Sequence, residues 1–575
     1  MTARAAPPPE RERHGAPDAV DPILPRRGDR ATPTTDAHLT RTGRRAAVAT
    51  RLLLGGVLLL AGLGGLVSLG WPLGFDHGLY TWTGDVVARG GMVYRDAWDM
   101  HGPLVAYLFA GAQLLFGHHF WGVRLLDLAF LAAGAAGVWQ LVAHAGPAPS
   151  RTAAWWAAGI LALTYLSLGY NETAQPDGWV GLAAAAAFAP VLVRPGRRWP
   201  LVLAGLAVAL FTLVKPFYLL FGLVPAIALA GHAFDQAATA LAASGRRRWS
   251  AGSLAGFAAL AAAAAVPVVA MTAYFASRGA LADLVEVHLR YTTRVYNDLT
   301  ELAPNSRIQG LITFLWDGKV VPVALAAAVA GGITVWRRGQ RAALAALTAW
   351  TVLATGFVLL QNKFYYYHWI PVLPPLAVVG AYGLAAAARR PGDARAFALA
   401  TVGVIAVHAA LRPAAYVAER AAVAAGRRSM AAYRGSFSEG NVSRPADRER
   451  VARYLRPRVG AGEGVAVWGT DAGILYLVDR PTPFRLAGWY WPMVVGNGSA
   501  VQRAYVDEYV RAFRERPPAY LVVNAAAGRV NPRVALARHP DVHAAVERDF
   551  VRDTVLGPFE LFRRRTPVGG GAATR

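Results

Sequence analysis

The sequence predicts an α-helical polytopic membrane protein that carries a small α/β unit at its C-terminal end. Three observations predict this. Of 575 residues, 55% are hydrophobic and only 16% are charged, against roughly 25% charged in soluble domains. Apolar runs of roughly 15–25 residues recur along most of the chain, the length that crosses a bilayer as helix. After about residue 412 those runs shorten, and charged and turn-forming residues rise.

The chain in order begins with residues 1–46, rich in Pro, Arg, Asp and Thr and without apolar periodicity, which read as a disordered tail. They are too polar for a signal peptide. Arg41, Arg44, Arg45 and Arg51 precede the first apolar run, so the amino terminus is expected in the cytoplasm. Candidate spans follow at about 52–70, 103–117, 121–144, 152–170, 178–193, 199–213, 216–233, 251–276, 319–336, 342–360, 370–388 and 396–411. Basic loops at Arg194/Arg197/Arg198, Arg246–Arg248, Arg337/Arg338/Arg341 and Arg389/Arg390/Arg395 mark the cytoplasmic side. That alternation places Asp76, Lys215, the loop 277–318, the run Gln361–Trp369 and everything after about 412 outside.

The counting conflicts in one place, because four candidate spans lie between Pro103 and the Arg194 loop where an odd number is needed. The run 103–117 is short for a crossing. A single net crossing over 103–144 gives about 11 spans and puts Asp177 on the side of Asp76; the alternative is one misread basic loop.

The expected division is a tail at 1–46, a membrane module at 47–412 with a first external loop at 71–102, and an extracytoplasmic α/β domain at 413–575. In the last part, Asp447–Leu455 reads as an amphipathic helix, and 464–469, 519–524 and 559–562 read as strands. A glycine turn follows the first of these strands, but no phosphate-cradling Gly pattern is present.

The net charge is +24. In a soluble chain that would point to nucleic acid. Here much of the arginine lies in short loops, where it sets topology and meets anionic lipid. No base-reading module is visible, so nucleic acid is not an expected partner. There is no cysteine, which excludes disulfides, thiolate metal sites and cysteine nucleophiles.

The densest polar chemistry lies between the first two apolar runs. Asp76, Asp85, Asp96 and Asp99, with Arg89, Arg95, His77 and His101, stand between Trp71 and Pro103. Charge this dense at a membrane face is either solvated or used. The spacing of Arg95, Asp96, Asp99 and His101 is too irregular for one helical face and predicts a structured loop, while Asp85 is expected on a short interfacial helix. Lys215, in Leu213-Val-Lys-Pro-Phe217, is flanked by apolar residues; such a lysine snorkels to the surface or pairs with an anion, and a lipid phosphate is the obvious one. Tyr365, Tyr366, Tyr367 and Trp369 suit an interfacial aromatic belt. A belt does not account for Lys363 and His368, cations on the outer face.

Asp-x-Gly after the first run, Gly-x-x-Tyr-Arg-Asp at 91–96 and Gly-Pro-Leu at 102–104 together resemble the first external loop of GT-C glycosyltransferases. The nearest branch is the group of protein O-mannosyltransferases and aminoarabinose-lipid A transferases, glycosyltransferase family 39. The run Lys363–Pro375, an aromatic-His-aromatic step followed by Leu-Pro-Pro-Leu, resembles a second motif of that family. The C-terminal region is similar to the tail domain of its bacterial members.

The resemblance implies a plasma-membrane enzyme that moves a sugar from a polyprenyl-phosphate donor to a hydroxyl of a lipid, glycan or protein acceptor at the outer face, with inversion. Asp76 matches the family's general base, although His77 stands where many relatives have a second acid. Asp177 matches a second external acid, placed to orient the acceptor or the base or to help hold a cation. Arg95, Asp96, Asp99, His101, Lys215, Lys363, Tyr366 and His368 are the expected substrate contacts, with His101, Lys215, Lys363 and His368 toward phosphate or hydroxyl. No cofactor is expected; Mg²⁺ on paired carboxylates is the less favoured alternative. A lipid or sugar transporter and a non-catalytic scaffold with the same fold are the competing classes. No internal repeat of the transporter kind is visible.

Overall fold

The computed structural model describes residues 34–145, 149–244, 251–296, 321–337, 340–390, 392–438, 443–494, 498–525 and 531–565. The chain divides into two compact units, residues 1–53 and 54–575. Residues 1–33 lie outside the described part. From Thr34 the chain is helical, so the expected tail ends at least that early rather than at 46. Helix α1 is Thr34–Ser68, and its part Val48–Ser68 is of membrane length.

The larger unit holds α2 (Phe75–Ala88), α3 (Pro103–Phe116), α4 (Trp121–His144), α5 (Arg151–Ser167), α6 (Pro176–Val193), α7 (Arg198–Val214), α8 (Leu223–Ser244) and α9 (Ala251–Ser277). Helices Val321–Arg337, Arg341–Gln361, Leu373–Ala388 and Asp393–Ala424 complete the bundle. Eight stretches, including the outer part of α1, are long and apolar enough to cross a membrane. Helices α5, α7 and Val321–Arg337, each 17 residues long, run among them. The protein is thus a multi-pass membrane protein, with eight candidate crossings among the described residues.

Helix α3 is not one of them. Its start, at His101–Gly102, meets the end of α7, where Gly102 N donates to the Val214 carbonyl at 3.0 Å. Just beyond its end, His118 contacts Asp85 of α2 and the Tyr476 carbonyl of the C-terminal region. Both ends of α3 therefore lie on one side, and α2 and α3 form an antiparallel pair there. Gln113 of α3 donates to the Thr81 carbonyl of α2, and a Cβ on Gly84 would stand 2.7 Å from that of Phe109. Of residues 103–144, α4 is the helix long and apolar enough to cross a membrane.

The other ends of the crossing helices carry the arginines. Helix α7 runs from Arg198 toward Lys215, the later helix from Arg341 to Gln361, and Leu373–Ala388 runs back to Arg389. Arg389 donates to the Pro149 carbonyl, which sets the α4–α5 connection at the same basic end.

The last crossing helix overruns its expected limit. It continues from Asp393 through Pro413 to Ala424, because Arg412, read as its end, is satisfied by the Ser167 and Leu168 carbonyls. The boundary expected at 413 falls inside this helix. Beyond it, a four-stranded sheet has the order β1-β2-β4-β3, with β1 (Val465–Trp468), β2 (Tyr520–Asn524), β3 (Phe550–Leu556) and β4 (Phe559–Arg564). Strands β1 and β2 are parallel, and the other pairings are antiparallel. The expected strands are β1, β2 and β4. Strand β3 is additional: an edge strand with mostly exposed Val-Arg-Asp-Thr, it lacks the apolar run that marks a buried strand.

The sheet unit docks on α2. Gly78 of α2 meets Gly473, where a Cβ would stand 2.7 Å from the Gly473 nitrogen. Arg448 donates to the Leu73 carbonyl at 2.8 Å, and Trp98 N to the Arg485 carbonyl at 2.8 Å. Arg485 also binds Asp283, Glu286 and Glu508, tying the segment after α9 to the same unit. This dock predicts that Gly78→Ala lowers the thermal unfolding midpoint, since overpacking costs about 1–3 kcal/mol. Gly111→Ala on α3, where nothing lies within 4 Å, is expected to melt at or above the wild-type temperature. Equal melting of Gly78→Ala and wild type would refute the close contact.

Candidate active site

A cavity of about 500 Å³ opens at the end of the bundle opposite the arginines, between the helices and the sheet unit. Asp76, in the first turn of α2, faces it. Two neighbours set this turn. Phe75 N donates to Asn171 Oδ1 at 3.0 Å, and Gly74 N donates to His77 Nδ1 at 3.0 Å. The other ring nitrogen of His77 lies 2.8 Å from the Thr173 carbonyl, so His77 is a neutral imidazole with both nitrogens used. Burial, then the Arg124 charge, holds its pKa well below the ordinary value. The histidine beside Asp76 is a clamp for α2, with no place for an acid or base.

The second acid comes from elsewhere in the chain. Glu172, in the loop between α5 and α6, lines the same cavity. It accepts from Tyr367 N at 3.2 Å and from Asn171 Nδ2 at 3.3 Å. Burial, with the nearby charge of Asp76 adding to it, pushes its pKa to about 7. Asp76 is raised as well, by burial against the opposing pull of His101, Tyr367 and Gln175. Gln175 donates to Asp76 at 3.4 Å. A carboxylate with a raised pKa at a cavity wall has the chemistry of a proton acceptor near neutral pH.

The loop carrying Glu172 is pinned from α4. Arg124 donates to Thr173 Oγ1 at 2.9 Å and to the Tyr170 carbonyl at 2.6 Å. Asp127 accepts from Trp179 Nε1 at 2.8 Å, from Ala174 N at 3.1 Å and from the Tyr165 hydroxyl. Together these bonds hold the loop, with Ala174 in the left-handed region at φ 57°.

Lys215, at the end of α7, lines the cavity, and Asp177 stands behind it. The ammonium bonds both Asp177 carboxylate oxygens, at 2.9 and 2.8 Å, and Gln361 Oε1 at 2.5 Å. Asp177 is fully buried and also accepts from the Tyr218 hydroxyl. It therefore holds Lys215 and is not among the residues that line the cavity. His368 lines the cavity with its Nδ1 buried and without a hydrogen-bond partner. Gln361 Nε2 is in the same condition.

His101 lines the cavity too. Asp99 accepts from its backbone N and from Nδ1, at 3.0 and 2.7 Å, and Nε2 lies 3.2 Å from the Tyr80 hydroxyl. Asp99 is buried and orients His101. The structured loop expected here is present, with Tyr94 at φ 75° donating to the His101 carbonyl.

Five expected contacts do not line the cavity: Asp99, which stands behind His101, and four that lie elsewhere. Arg95 and Asp96 pair with each other at 2.8 Å near the surface, and Arg95 also caps the Arg278 carbonyl. They border a separate polar recess beside Arg485. Lys363 is buried over the Tyr296 ring, 5.0 Å from its centre, behind the cavity wall. Tyr366 is 47% exposed, whereas its neighbours Tyr365 and Tyr367 line the cavity. The 3-10 turn Tyr366–Val372 and the left-handed residues Asn362 and Phe364 decide this, and the repeat of tyrosines alone does not show which one turns inward. His288 is a further lining residue without a sequence signal. Residues 297–320 of the expected external loop lie outside the described part. Among the described residues, no group of three or more His, Asp or Glu is arranged to hold a metal ion.

The fold has solved counterparts. The chain is similar to ArnT from Cupriavidus metallidurans in a crystal structure bound to undecaprenyl phosphate, with 15% identity and a TM-score of 0.55, over 91% of this chain and 99% of that one. It is similar to the same protein in the apo state, with 16% identity and a TM-score of 0.50, over 90% and 98%. The helical membrane bundle with a small C-terminal sheet is thus the fold of these ArnT structures. No family model matches the sequence, and no curated protein matches it.

The raised acids carry a pH signature. Glu172 has a higher pKa folded, about 7, than its ordinary value of 4.5. The folded chain therefore binds more protons between these values, and its stability falls as pH rises through them. The expected loss is on the order of 1–3 kcal/mol. Glu172→Gln removes that part of the slope and leaves the part due to Asp76. Melting temperatures from pH 4.5 to 7.5 check this; identical slopes would place Glu172 in water.

Proposed function

We propose that this chain is a membrane glycosyltransferase of the GT-C type, which transfers a sugar from a polyprenyl-phosphate donor to an acceptor hydroxyl at the outer face of the plasma membrane. The observation that carries the reading is one cavity lined by a buried carboxylate, Asp76, and by the basic side chains Lys215 and His368. The binding of undecaprenyl phosphate by a protein of the same fold supports the class of donor.

In this reading the acceptor hydroxyl gives its proton to Asp76 as its oxygen attacks the anomeric carbon. The bond from that carbon to the phosphate oxygen breaks, and the polyprenyl phosphate leaves with the electron pair. Lys215, held by Asp177 and Gln361, and the imidazole of His368 stabilise the departing oxygens. One displacement inverts the anomeric centre. Glu172, beside Asp76, keeps the base from ionising too readily, because two neighbouring carboxylates resist full charge. His101, oriented by Asp99, faces the substrate from the α3 side.

Asp76→Asn keeps the size of the side chain and removes the proton acceptor. Transfer from a labelled polyprenyl-phosphate sugar is expected to fall by about 10²–10⁴. Asp96→Asn, outside the cavity, is expected to stay near the wild-type rate. Normal transfer by Asp76→Asn would end the assignment and favour a transporter.

The side of the membrane is testable separately. The cavity lies at the helix ends opposite the arginine-rich connections, which the positive-inside rule assigns to the cytoplasm. A reporter active only in the cytoplasm and fused after residue 575 is expected to be silent. Full activity would invert the topology.

A further inference from the structure

The cavity has two chemically different walls. The bundle contributes its ionisable groups: Asp76, His101, Glu172, Lys215, His288 and His368. Among the described residues, the sheet unit contributes Thr470, Trp489, Tyr490, Trp491, Asn524 and Pro532. Among the described residues that second wall is aromatic, with amide and hydroxyl groups, and carries no acidic or basic side chain. Flat apolar rings flanked by a few oriented polar groups suit a ligand that is apolar on its faces and hydroxylated at its rim.

The wall begins beside the base: Phe75, the neighbour of Asp76, contacts the Trp489 ring edge to face at 5.6 Å. The wall is rigid. A Cβ on Gly488 would stand 2.8 Å from the Trp82 ring of α2, Trp489 and Trp491 lie 5.8 Å apart, and Asn524 donates to the buried Asp471 at 2.7 Å.

We propose that the C-terminal sheet unit supplies the acceptor subsite, and that the acceptor is a neutral saccharide whose ring lies against Trp489 and Trp491 with a hydroxyl directed at Asp76. This rests on the transferase reading for its direction, and on the wall itself for its ligand class.

The test is saturation-transfer NMR on the full-length protein in nanodiscs, with empty nanodiscs as blank. The probes are methyl α-mannopyranoside, methyl β-galactopyranoside, methyl α-arabinofuranoside, a Ser/Thr-containing peptide blocked at both ends, and glycerol phosphate. At least one glycoside is expected to receive saturation at its ring C–H protons, and the peptide and glycerol phosphate none. Trp491→Ala is expected to weaken the glycoside signal at least fivefold, while Trp491→Phe, which keeps a ring, retains it. With a labelled lipid donor, Trp491→Ala is expected to raise the acceptor KM about tenfold and leave the donor KM unchanged. Saturation of the peptide or of glycerol phosphate in place of every glycoside overturns the proposal, and so does an undiminished glycoside signal in Trp491→Ala. The wild-type probes decide the ligand class even if Trp491→Ala fails to fold. The NMR result does not need turnover, so an inactive transferase that binds glycosides separates failure of the reaction from failure of the subsite.

Discussion

The arrangement depends on a helix that does not cross the membrane. Helix α2 lies between the bundle and the sheet unit, and its first turn carries Asp76. Asn171 and His77 fix that turn through the Phe75 and Gly74 amides. Gly78 lets the Gly473 backbone approach at a distance no side chain would allow. At the far side, Gly102 comes so close to the end of α7 that a Cβ would stand 2.2 Å from the Leu213 carbonyl. That contact brings His101 and Lys215 to the same cavity. Backbone proximity at two glycines thus brings together groups far apart in the chain.

Charge inside this protein is placed in closed sets. Arg124 and Asp127 occupy one, which pins the loop carrying Glu172. Lys215 and Asp177 form another, and Arg448 with Asp471 a third in the sheet unit. Breaking one partner of a buried pair is costly because it leaves a bare charge behind. Each set is therefore a rigid support, and a buried group without a hydrogen-bond partner, such as His368 Nδ1, stands out against it.

In the transfer reaction proposed above, the two cavity walls divide the labour. Cations and carboxylates on the helices suit a phosphate leaving group and a proton. Rings and neutral polar groups on the sheet unit suit a saccharide. A cavity closed on two sides by separate elements also explains why the sheet unit is docked so firmly, since a small displacement of either wall separates the base from its substrate.

The helical membrane class, the side on which the polar groups gather, the strands β1, β2 and β4, and the candidates Asp76, His101, Lys215 and His368 are legible in the sequence itself. Apolar run length, arginine placement and local motifs are properties of neighbouring residues. Even the reading of 103–144 as one net crossing follows from length and parity. What only the tertiary structure decides is which distant groups meet. Glu172 is a second acid for Asp76 although it is 96 positions further along the chain. Asp177 turns to Lys215 and not to the cavity, Tyr365 and Tyr367 face inward while Tyr366 does not, and the sheet unit supplies a wall of the site. The physical reason is that each depends on helix rotation, on close glycine contacts or on a left-handed residue, and these are set by long-range packing that local sequence pattern does not encode.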